Sequence, residues 1–240
     1  MLELAYLNNH MILRDDEMTW RWYDAYGPTV AKFVEDFVYT PFSAADQPAG
    51  WLNTLLEAGA GESTAALVAG SLTGELLFTD DANDNDGHNM QVLGEAFSFA
   101  ARYPTYFGCK FRISDATQQD AYAGLCITNA TLEAGMTDGL YFRKADGATT
   151  LWFVAEKDSV ETVVAVATMV AATDIVAEFL YLNGVVTVYI NGVEVAELAD
   201  SDVNFPDDEY LTPSLVCKNG EAVIKTMNVD YIKCIQIQTA

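Results

Sequence analysis

The chain has 240 residues, 51% of them apolar, and a formal net charge of −23. This size and composition are sufficient for one large domain or two small ones. The charge disfavours nucleic acid and anionic membranes as partners, because an acidic surface repels both. No apolar run approaches the ~20 residues that span a bilayer. We therefore expect neither nucleic acid nor a membrane as a partner.

The first 32 residues differ from the rest of the chain. Their second half concentrates four aromatic side chains without a sustained helical or alternating period: Trp20, Trp22, Tyr23 and Tyr26. Trp and Tyr suit interfaces, because each combines a large apolar ring with a polar tip. The segment is interpreted either as an arm that docks on a neighbouring molecule through these candidate contacts or as an extra edge strand of the same domain. We take residues 1–32 as this N-terminal arm or extension and residues 33–240 as the main domain.

Strand signals begin at Phe33, and turn signals then recur every roughly 8–15 residues, as in a sandwich. One stretch, residues 51–58, is a weak helix candidate. Strands are predicted at residues 33–39, 74–79, 96–101, 106–113, 121–128, 139–143, 150–155, 161–169, 210–217 and 223–237.

The strongest signal lies between residues 175 and 198, where Asn183-Gly184 and Asn191-Gly192 predict two hairpin turns. Both central positions of a type I′ turn need a positive φ, which Asn and Gly tolerate. The result is a three-stranded meander over residues 175–182, 185–190 and 193–198. Such a meander needs a second sheet against which to bury its apolar face. We therefore predict an all-β fold, a two-sheet antiparallel sandwich.

An acidic loop, Asp80 to Gly87, carries oxygen ligands at alternating positions, and Asp81, Asn83 and Asn85 are the candidates for calcium. The glycine comes one position late for an EF-hand, and Val92 stands where a bidentate Glu is needed. The alternative is a solvated turn between two strands. No other metal or cofactor is predicted.

The four cysteines, Cys109, Cys126, Cys217 and Cys234, each lie in a strand-like run, which indicates buried free thiols; a disulfide is the alternative. Five basic residues could form a contact patch, although pairing with Asp and Glu across strands is the simpler interpretation. They are Arg102, Lys110, Arg112, Arg143 and Lys144.

Glu156 and Glu161 are two closely spaced carboxyls, and a retaining glycosidase needs such a pair ~5–5.5 Å apart around the bond that is cut. Here the intervening Lys157-Asp-Ser159 predicts a solvated hairpin tip, which offers no burial to raise the pKa of an acid. We therefore predict no catalytic residue, and we expect replacement of both glutamates by Gln to change neither stability nor function. His10 and His88 are too few for a zinc site or a Ser-His pair.

Several segments carry a resemblance to a known family: Pro48-Ala-Gly-Trp51, Gly74 to Gly87, Asp138-Gly-Leu-Tyr-Phe-Arg143, Phe205-Pro-Asp-Asp-Glu209 and Val229 to Gln236. In this order and spacing the chain resembles the concanavalin A-like lectin/glucanase jelly roll. More narrowly, it is similar to the lectin-like structural proteins of tailed bacteriophages. The resemblance covers residues 33–240 and leaves the N-terminal arm outside.

The resemblance implies a non-enzymatic structural protein of the virion that decorates or cements the capsid surface, assembled in the host cytoplasm. Its implied partners are the major capsid protein or another virion protein, and further copies of the chain, most plausibly in a trimer. The alternative is a carbohydrate- or receptor-binding module of a tail fibre or other virion appendage, with a surface glycan as partner. A glycoside hydrolase is the third interpretation, and the absent acid pair disfavours it.

Overall fold

The computed structural model describes residues 1–238, which form two large antiparallel sheets packed face to face, and this confirms the predicted all-β sandwich. Strands are numbered in chain order. Across sheet I, the strands follow each other as β16 (Val160–Thr168), β15 (Thr150–Lys157), β14 (Gly139–Lys144), β13 (Gln119–Cys126), β20 (Tyr210–Asn219), β10 (Gly87–Val92) and β7 (Trp51–Leu56), with β11 (Phe97–Ser98) paired to β20.

Sheet II faces it and has the same number of strands. Its order is β19 (Val193–Ala199), β18 (Val185–Ile190), β17 (Ile175–Leu182), β12 (Thr105–Ile113), β21 (Thr226–Ile237), β9 (Leu76–Thr79) and β8 (Thr64–Leu67), with β4 (Val30–Glu35) paired to β21. The remaining elements are a three-stranded N-terminal sheet of β1 (Leu2–Leu7), β2 (His10–Asp15) and β3 (Trp22–Tyr26), a short hairpin of β5 (Phe42–Ala44) and β6 (Gln47–Pro48), and one helical turn, α1 (Leu132–Gly135).

The core lies between the two sheets because side chains alternate along each strand. On β14, Leu140 and Phe142 point inward and are fully buried. Aromatic rings join the sheets: the ring centroid of Phe179 on β17 lies 5.7 Å from that of Phe153 on β15. The alternate residues of each strand lie on the outer faces, where they can contact ligands.

The predicted meander is confirmed. Asn183 and Gly184 have φ values of 54° and 85°, and Asn191 and Gly192 have 51° and 83°. All four residues adopt the left-handed conformation that a type I′ turn requires. The third strand continues one residue beyond its predicted end, to Ala199.

The weak helix candidate at residues 51–58 is wrong, because residues Trp51–Leu56 form β7. This strand pairs along its whole length with β10, from Trp51 opposite Val92 to Leu56 opposite Gly87. Trp51 is fully buried in the core. Pairing with a distant strand and burial of the indole override the local pattern here.

The N-terminal segment forms a sheet that lies on the outer face of sheet II. Its first hairpin turns at Asn8 and Asn9, which have φ values of 48° and 64°. Trp22 is buried against Tyr106 of β12, with ring centroids 6.2 Å apart. Trp20 stacks on Tyr189 of β18 at a centroid distance of 3.5 Å. The segment thus contacts the same chain.

A buried ion pair fastens the N-terminal sheet to sheet II. Arg21 Nε donates to Glu178 Oε1 over 2.7 Å, and the Tyr106 hydroxyl donates to the same oxygen over 2.6 Å. The Glu178 side chain is fully buried. A buried carboxylate without a partner is costly, so the position of Arg21 is strongly determined.

The β5–β6 hairpin joins the two sheets at the edge of the sandwich formed by β7 and β8. Its turn residue Asp46 accepts a hydrogen bond at Oδ1 from the Ala65 backbone N–H of β8, over 2.8 Å. The Asp46 carbonyl accepts another from Asn53 Nδ2 of β7, over 2.7 Å. One residue therefore contacts the outermost strand of each sheet.

All four cysteines are buried and free, as predicted. Ion pairs with Asp or Glu account for four of the five basic residues: Arg102 with Asp200, Lys110 with Asp230, Arg112 with Glu75 and Arg143 with Glu161. Lys144 is buried and donates to the backbone carbonyls of Thr117 and Gln119. Within residues 1–238, no helix has the length and apolar character needed to cross a membrane.

Removal of Arg21 should destabilise the protein. In Arg21→Ala the buried Glu178 keeps only the Tyr106 hydroxyl, and we expect a loss of about 3 kcal/mol in the free energy of unfolding. Urea denaturation followed by tryptophan fluorescence measures this. The matched control is Arg14→Ala, which breaks the partly exposed pair with Glu3 and should cost at most about 1 kcal/mol. Equal losses for both variants would contradict the role assigned to the buried pair.

Candidate functional site

A groove runs along the outer face of sheet I. It consists of two adjoining cavities of about 400 and 290 Å³. Both are lined by Tyr122, Glu133 and Arg143, so they form one continuous depression. Concave sites with a few convergent polar groups are the usual places for ligands.

The strand register of sheet I places three groove side chains in one row. Tyr122 on β13 is opposite Arg143 on β14, and Arg143 is opposite Trp152 on β15. Directly opposed residues on neighbouring strands have side chains on the same face. The row therefore alternates an aromatic ring, a guanidinium and a second aromatic ring.

Tyr141 lies in the next row and is buried in the floor of the groove. Its ring is stacked on that of Tyr122, with centroids 5.9 Å apart. Two glycines provide the space: a Cβ on Gly124 would lie 2.3 Å from the Tyr141 Cβ, and a Cβ on Gly139 would lie 3.0 Å from its Cδ1. The ring can therefore lie across the sheet towards the β15–β16 hairpin.

Glu156 and Glu161 are directly opposite each other on β15 and β16. The Tyr141 hydroxyl stands between them, 2.7 Å from Glu156 Oε2 and 3.3 Å from Glu161 Oε1. Arg143 Nη2 donates to Glu161 Oε2 over 2.8 Å, and Arg143 Nη1 donates to the other oxygen. Two carboxyl groups, a phenol and a guanidinium thus form one connected cluster.

The expectation that both glutamates are solvated is wrong for Glu156, which is 4% exposed. The hairpin tip itself is confirmed, since Asp158 and Ser159 both have positive φ. However, the chain between β13 and β14 crosses over this end of the sheet. The Ser159 N–H donates to the Thr137 carbonyl over 2.9 Å, and the covering segment removes Glu156 from water.

The pKa values of the two glutamates are shifted in opposite directions. Burial raises the pKa of Glu156 above its ordinary value of 4.5, and the neighbouring Glu161 charge adds to this. The Arg143 hydrogen bonds lower the pKa of Glu161 below the same value. Different environments around paired carboxyls separate a proton-holding group from an ionised one.

The other end of the groove is a charged network around Lys218. Its Nζ donates to Glu133 and, over 3.1 Å, to Asn85 Oδ1, and lies 3.6 Å from Asp120 Oδ2. Carboxyl groups outnumber basic groups along the whole groove. The acids are Asp120, Glu133, Asp146, Glu156 and Glu161, and the bases are Arg143 and Lys218.

The predicted calcium ligands lie near this end but serve in hydrogen bonds. Asn83 Nδ2 donates to Asp81 Oδ2 over 2.9 Å and to Asp86 Oδ2 over 2.8 Å. Asn85 accepts from Lys218, as described above. Among residues 1–238, no group of three His, Cys, Asp or Glu side chains is placed to hold a metal ion. Calcium binding in this loop stays a prediction.

The four predicted aromatic contacts lie on the sheet II side of the molecule, away from the groove. Two of them pack within the chain and two are exposed. Trp20 and Trp22 contact sheet II within the chain, whereas Tyr23 and Tyr26 are 36% and 50% exposed. The Tyr23 hydroxyl donates to Asp15 over 2.8 Å, and Lys32 Nζ lies 4.6 Å from the Tyr26 ring centroid. Contact of the exposed pair with another molecule stays a prediction.

The sequence indicated Glu156, Glu161 and Arg143 as residues of interest but missed Tyr122, Tyr141 and Trp152. A tyrosine in a strand is ordinarily a packing residue, so its type alone is not a signal. Gly124 and Gly139 carry the available hint, because a glycine within a strand marks a close approach of another group.

No protein-family model matches the chain, and no curated protein matches it. The fold is shared with solved structures at low sequence identity. A protein of unknown function from Shewanella oneidensis MR-1 is 13% identical, with a TM-score of 0.59 and coverage of 88% of each chain. The Emp47p carbohydrate recognition domain is 10% identical, with a TM-score of 0.57 and coverage of 87% of this chain and 95% of that one.

The endo-1,3-beta-glucanase from Streptomyces sioyaensis is 11% identical, with a TM-score of 0.58 and coverage of 90% of this chain and 99% of that one. At these identities the likeness shows the fold alone. The chain has the concanavalin A-like jelly roll that the sequence predicted.

The expectation that replacing both glutamates by Gln leaves stability unchanged does not fit the burial of Glu156. Each replacement should instead change stability, with opposite pH dependences. The raised pKa of Glu156 contributes stability that is present below pH 4.5 and is lost as the pH rises through the folded-state pKa. Glu156→Gln should therefore gain stability relative to the wild type as the pH rises from 4 to about 7. Thermal unfolding across this range measures the difference.

The lowered pKa of Glu161 contributes stability that is present above pH 4.5 and is lost as the pH falls. Glu161→Gln should therefore be less stable than the wild type at neutral pH, and the difference should shrink in acid. Each variant is the other's control. Parallel pH profiles for the two would show that the groove does not separate their protonation.

Proposed function

We propose that this protein binds a neutral glycan in the groove of sheet I. The observation that carries the proposal is the row of Tyr122, Arg143 and Trp152 beside the Glu156–Glu161 cluster. A sugar ring has apolar C–H faces and a rim of hydroxyls. It is matched by an aromatic ring with charged hydrogen-bonding groups around it.

Trp152 is the side chain that stacks on the sugar. It is half-buried, so its position is fixed while part of its ring remains open to the groove. Arg143 and Lys218 supply donors to sugar oxygens, and the carboxylates supply acceptors. Each of these groups is already held by a neighbour, so little side-chain entropy is lost on binding.

The excess of carboxyl groups in the groove selects against acidic sugars. A uronic acid or a sialic acid placed beside Glu133 and Glu161 would meet like charge, and this disfavours it. Two structures that share the fold are named for a carbohydrate recognition domain and a glucanase. Their names support a carbohydrate as the ligand class.

The role in a bacteriophage virion stays a proposal that rests on the sequence resemblance. Glycan binding agrees with the alternative in which the chain is the carbohydrate-binding or receptor-binding module of a virion appendage. A protein that decorates a capsid can also present such a groove outward. Association with capsid protein and formation of a trimer are expectations of the same kind.

Glycoside hydrolysis is the second candidate function, and the paired Glu156 and Glu161 favour it. Two features of the pair weigh against it. The Tyr141 hydroxyl occupies the space between the two carboxyls, where the glycosidic oxygen would have to lie. Both oxygens of Glu161 accept from Arg143, which stabilises the anion and makes it a poorer nucleophile.

Glycan binding should depend on Trp152. A glycan array that holds neutral and acidic oligosaccharides identifies the ligand, and titration calorimetry then measures the affinity. We expect Trp152→Ala to weaken binding by at least about tenfold, equivalent to about 1.4 kcal/mol. The control is Tyr39→Ala, which removes a 92% exposed ring that does not line the groove. Unchanged affinity in Trp152→Ala, or a preference for acidic glycans, would contradict the proposal.

The protein should not cleave the glycans that it binds. We expect no new reducing ends from laminarin, agarose or the polysaccharide found in the binding experiment, because Tyr141 separates the two carboxyls. The comparison is Tyr141→Phe, which removes the intervening hydroxyl and keeps the ring. Cleavage by the wild type that is lost in Glu156→Gln would establish the hydrolase instead.

A further inference from the structure

A second cavity, of about 520 Å³, lies between the N-terminal sheet and the outer face of sheet II. Its walls include Arg21 and Tyr23 from the N-terminal segment, and Tyr231 and Lys233 from β21. Val38, from the segment after β4, completes the rim. This cavity is far from the groove in the fold, because the two lie on outer faces of opposite sheets.

Lys233 is the notable group in this cavity. Its Nζ lies 5.0, 5.1 and 5.2 Å from the ring centroids of Tyr23, Tyr106 and Tyr231, so three tyrosine rings surround the amine. The residue is 7% exposed. The rings hold the amine at one position beside the cavity.

The environment of Lys233 differs from that of the other six lysines. Five of them pair with a carboxylate: Lys32, Lys110, Lys157, Lys218 and Lys225. Lys144 donates to two backbone carbonyls, as described above. Within the described part of the chain, 1–238, the Lys233 amine makes no hydrogen bond and has no carboxylate oxygen within 4.0 Å. Its lone pair, when uncharged, is therefore available to an incoming group.

The strand register explains how the amine reaches this position. Gly108 on β12 is directly opposite Lys233 on one side and Glu178 on the other. A Cβ on Gly108 would lie 3.3 Å from Lys233 Cε and 2.8 Å from the Tyr106 hydroxyl oxygen. The missing side chain lets the lysine and the tyrosine lie over the backbone of β12.

Burial of Lys233 favours the neutral amine. Burial lowers the pKa of Lys233 to about 8, the nearby Glu178 offsets part of this effect, and Arg21 lowers it further. The pKa values of Tyr23, Tyr106 and Tyr231 are raised, chiefly by burial, so these phenols stay neutral around it. Asp36 and Asp230 also line the cavity, and Asp230 is paired with Lys110.

We propose that Lys233 is a covalent ligand site whose amine forms an imine with a small neutral aldehyde seated in this cavity. The nitrogen lone pair attacks the carbonyl carbon, a C–N bond forms, and the carbonyl oxygen takes a proton to give a carbinolamine. Loss of the hydroxyl group and of the remaining N–H proton as water leaves the C=N bond. No oxidant or reductant is needed, and hydrolysis reverses the step.

The cavity walls define the class of aldehyde. Rings and branched side chains, among them Tyr23, Tyr231 and Val38, favour an apolar or aromatic body. A negatively charged aldehyde is disfavoured, because the chain carries a net charge of −23. Benzaldehyde satisfies both conditions and serves as the probe.

The test treats the full chain with benzaldehyde and sodium cyanoborohydride, which reduces an imine to a stable secondary amine, and maps the modified lysines by peptide mass spectrometry. Lys32 is the internal control, because its Nζ also faces a tyrosine ring at 4.6 Å but pairs with Asp24 over 2.6 Å. At pH 7 an amine with a pKa of 8 is about 10% neutral, and an ordinary lysine far less. We expect Lys233 to be modified at least about tenfold faster than Lys32.

Two variants separate the cavity from the amine. Lys233→Arg keeps the charge and should lose only the modification at this position. Val38→Trp adds a large ring at the partly exposed rim and should slow the modification of Lys233 while that of Lys32 is unchanged. The excess of modification at Lys233 over Lys32 should be largest near pH 7 and shrink towards pH 9, because the neutral fraction at Lys233 saturates above its pKa of about 8. Modification of Lys233 no faster than that of Lys32, or an unchanged rate in Val38→Trp, would overturn the proposal.

Discussion

The burial of two inner sheet faces against each other is the constraint on which the rest of this structure depends. Every second side chain of each strand is committed to the core, which leaves the alternate side chains for the outer faces and for any ligand that binds there. Each outer face is then partly covered by another segment. The chain between β13 and β14 covers one end of sheet I, and the N-terminal sheet covers part of sheet II. Both cavities arise where a cover meets a sheet, and each contains an ionisable side chain that the cover removes from water: Glu156 in one, Lys233 in the other.

Local signals explain which parts of the fold the sequence could predict. The meander is encoded by Asn183-Gly184 and Asn191-Gly192, whose backbone conformations few other residues tolerate. Strand β7 was missed because its pairing with β10 is a property of two distant segments. The groove was out of reach for the same reason: Tyr122, Arg143 and Trp152 become neighbours only through the register of three strands. The sequence did locate the hairpin tip between Glu156 and Glu161, but the segment that buries Glu156 comes from about 20 residues earlier in the chain, and its position depends on tertiary contacts.

The strongly negative charge of the chain has a structural counterpart. Nearly every basic side chain forms an ion pair with a carboxylate or a hydrogen bond to a backbone carbonyl of the same chain. The excess of carboxylates therefore lies on the surface. Individual exposed pairs of this kind contribute little to stability. Their collective effect is on recognition, since a partner meets an acidic surface in which the few cations are already neutralised. Arg21 is the exception in energetic terms, because its partner Glu178 is fully buried.

The β5–β6 hairpin has a consequence for how the protein avoids association through its strand edges. Unpaired N–H and C=O groups on an outermost strand invite a strand from another molecule to pair with them. At one side of the sandwich, Asp46 accepts hydrogen bonds from the Ala65 backbone of edge strand β8 and from the Asn53 side chain of edge strand β7, so it shields part of both edges. The edge strand β19 at the other side has no such cap among the residues described, but it carries Glu194 and Glu197 along its length. The β7 and β8 edges are thus protected by the β5–β6 hairpin, and the β19 edge is protected by charge repulsion. Protonation of carboxylates in acid weakens only the second, so the β19 edge loses its protection as the pH falls.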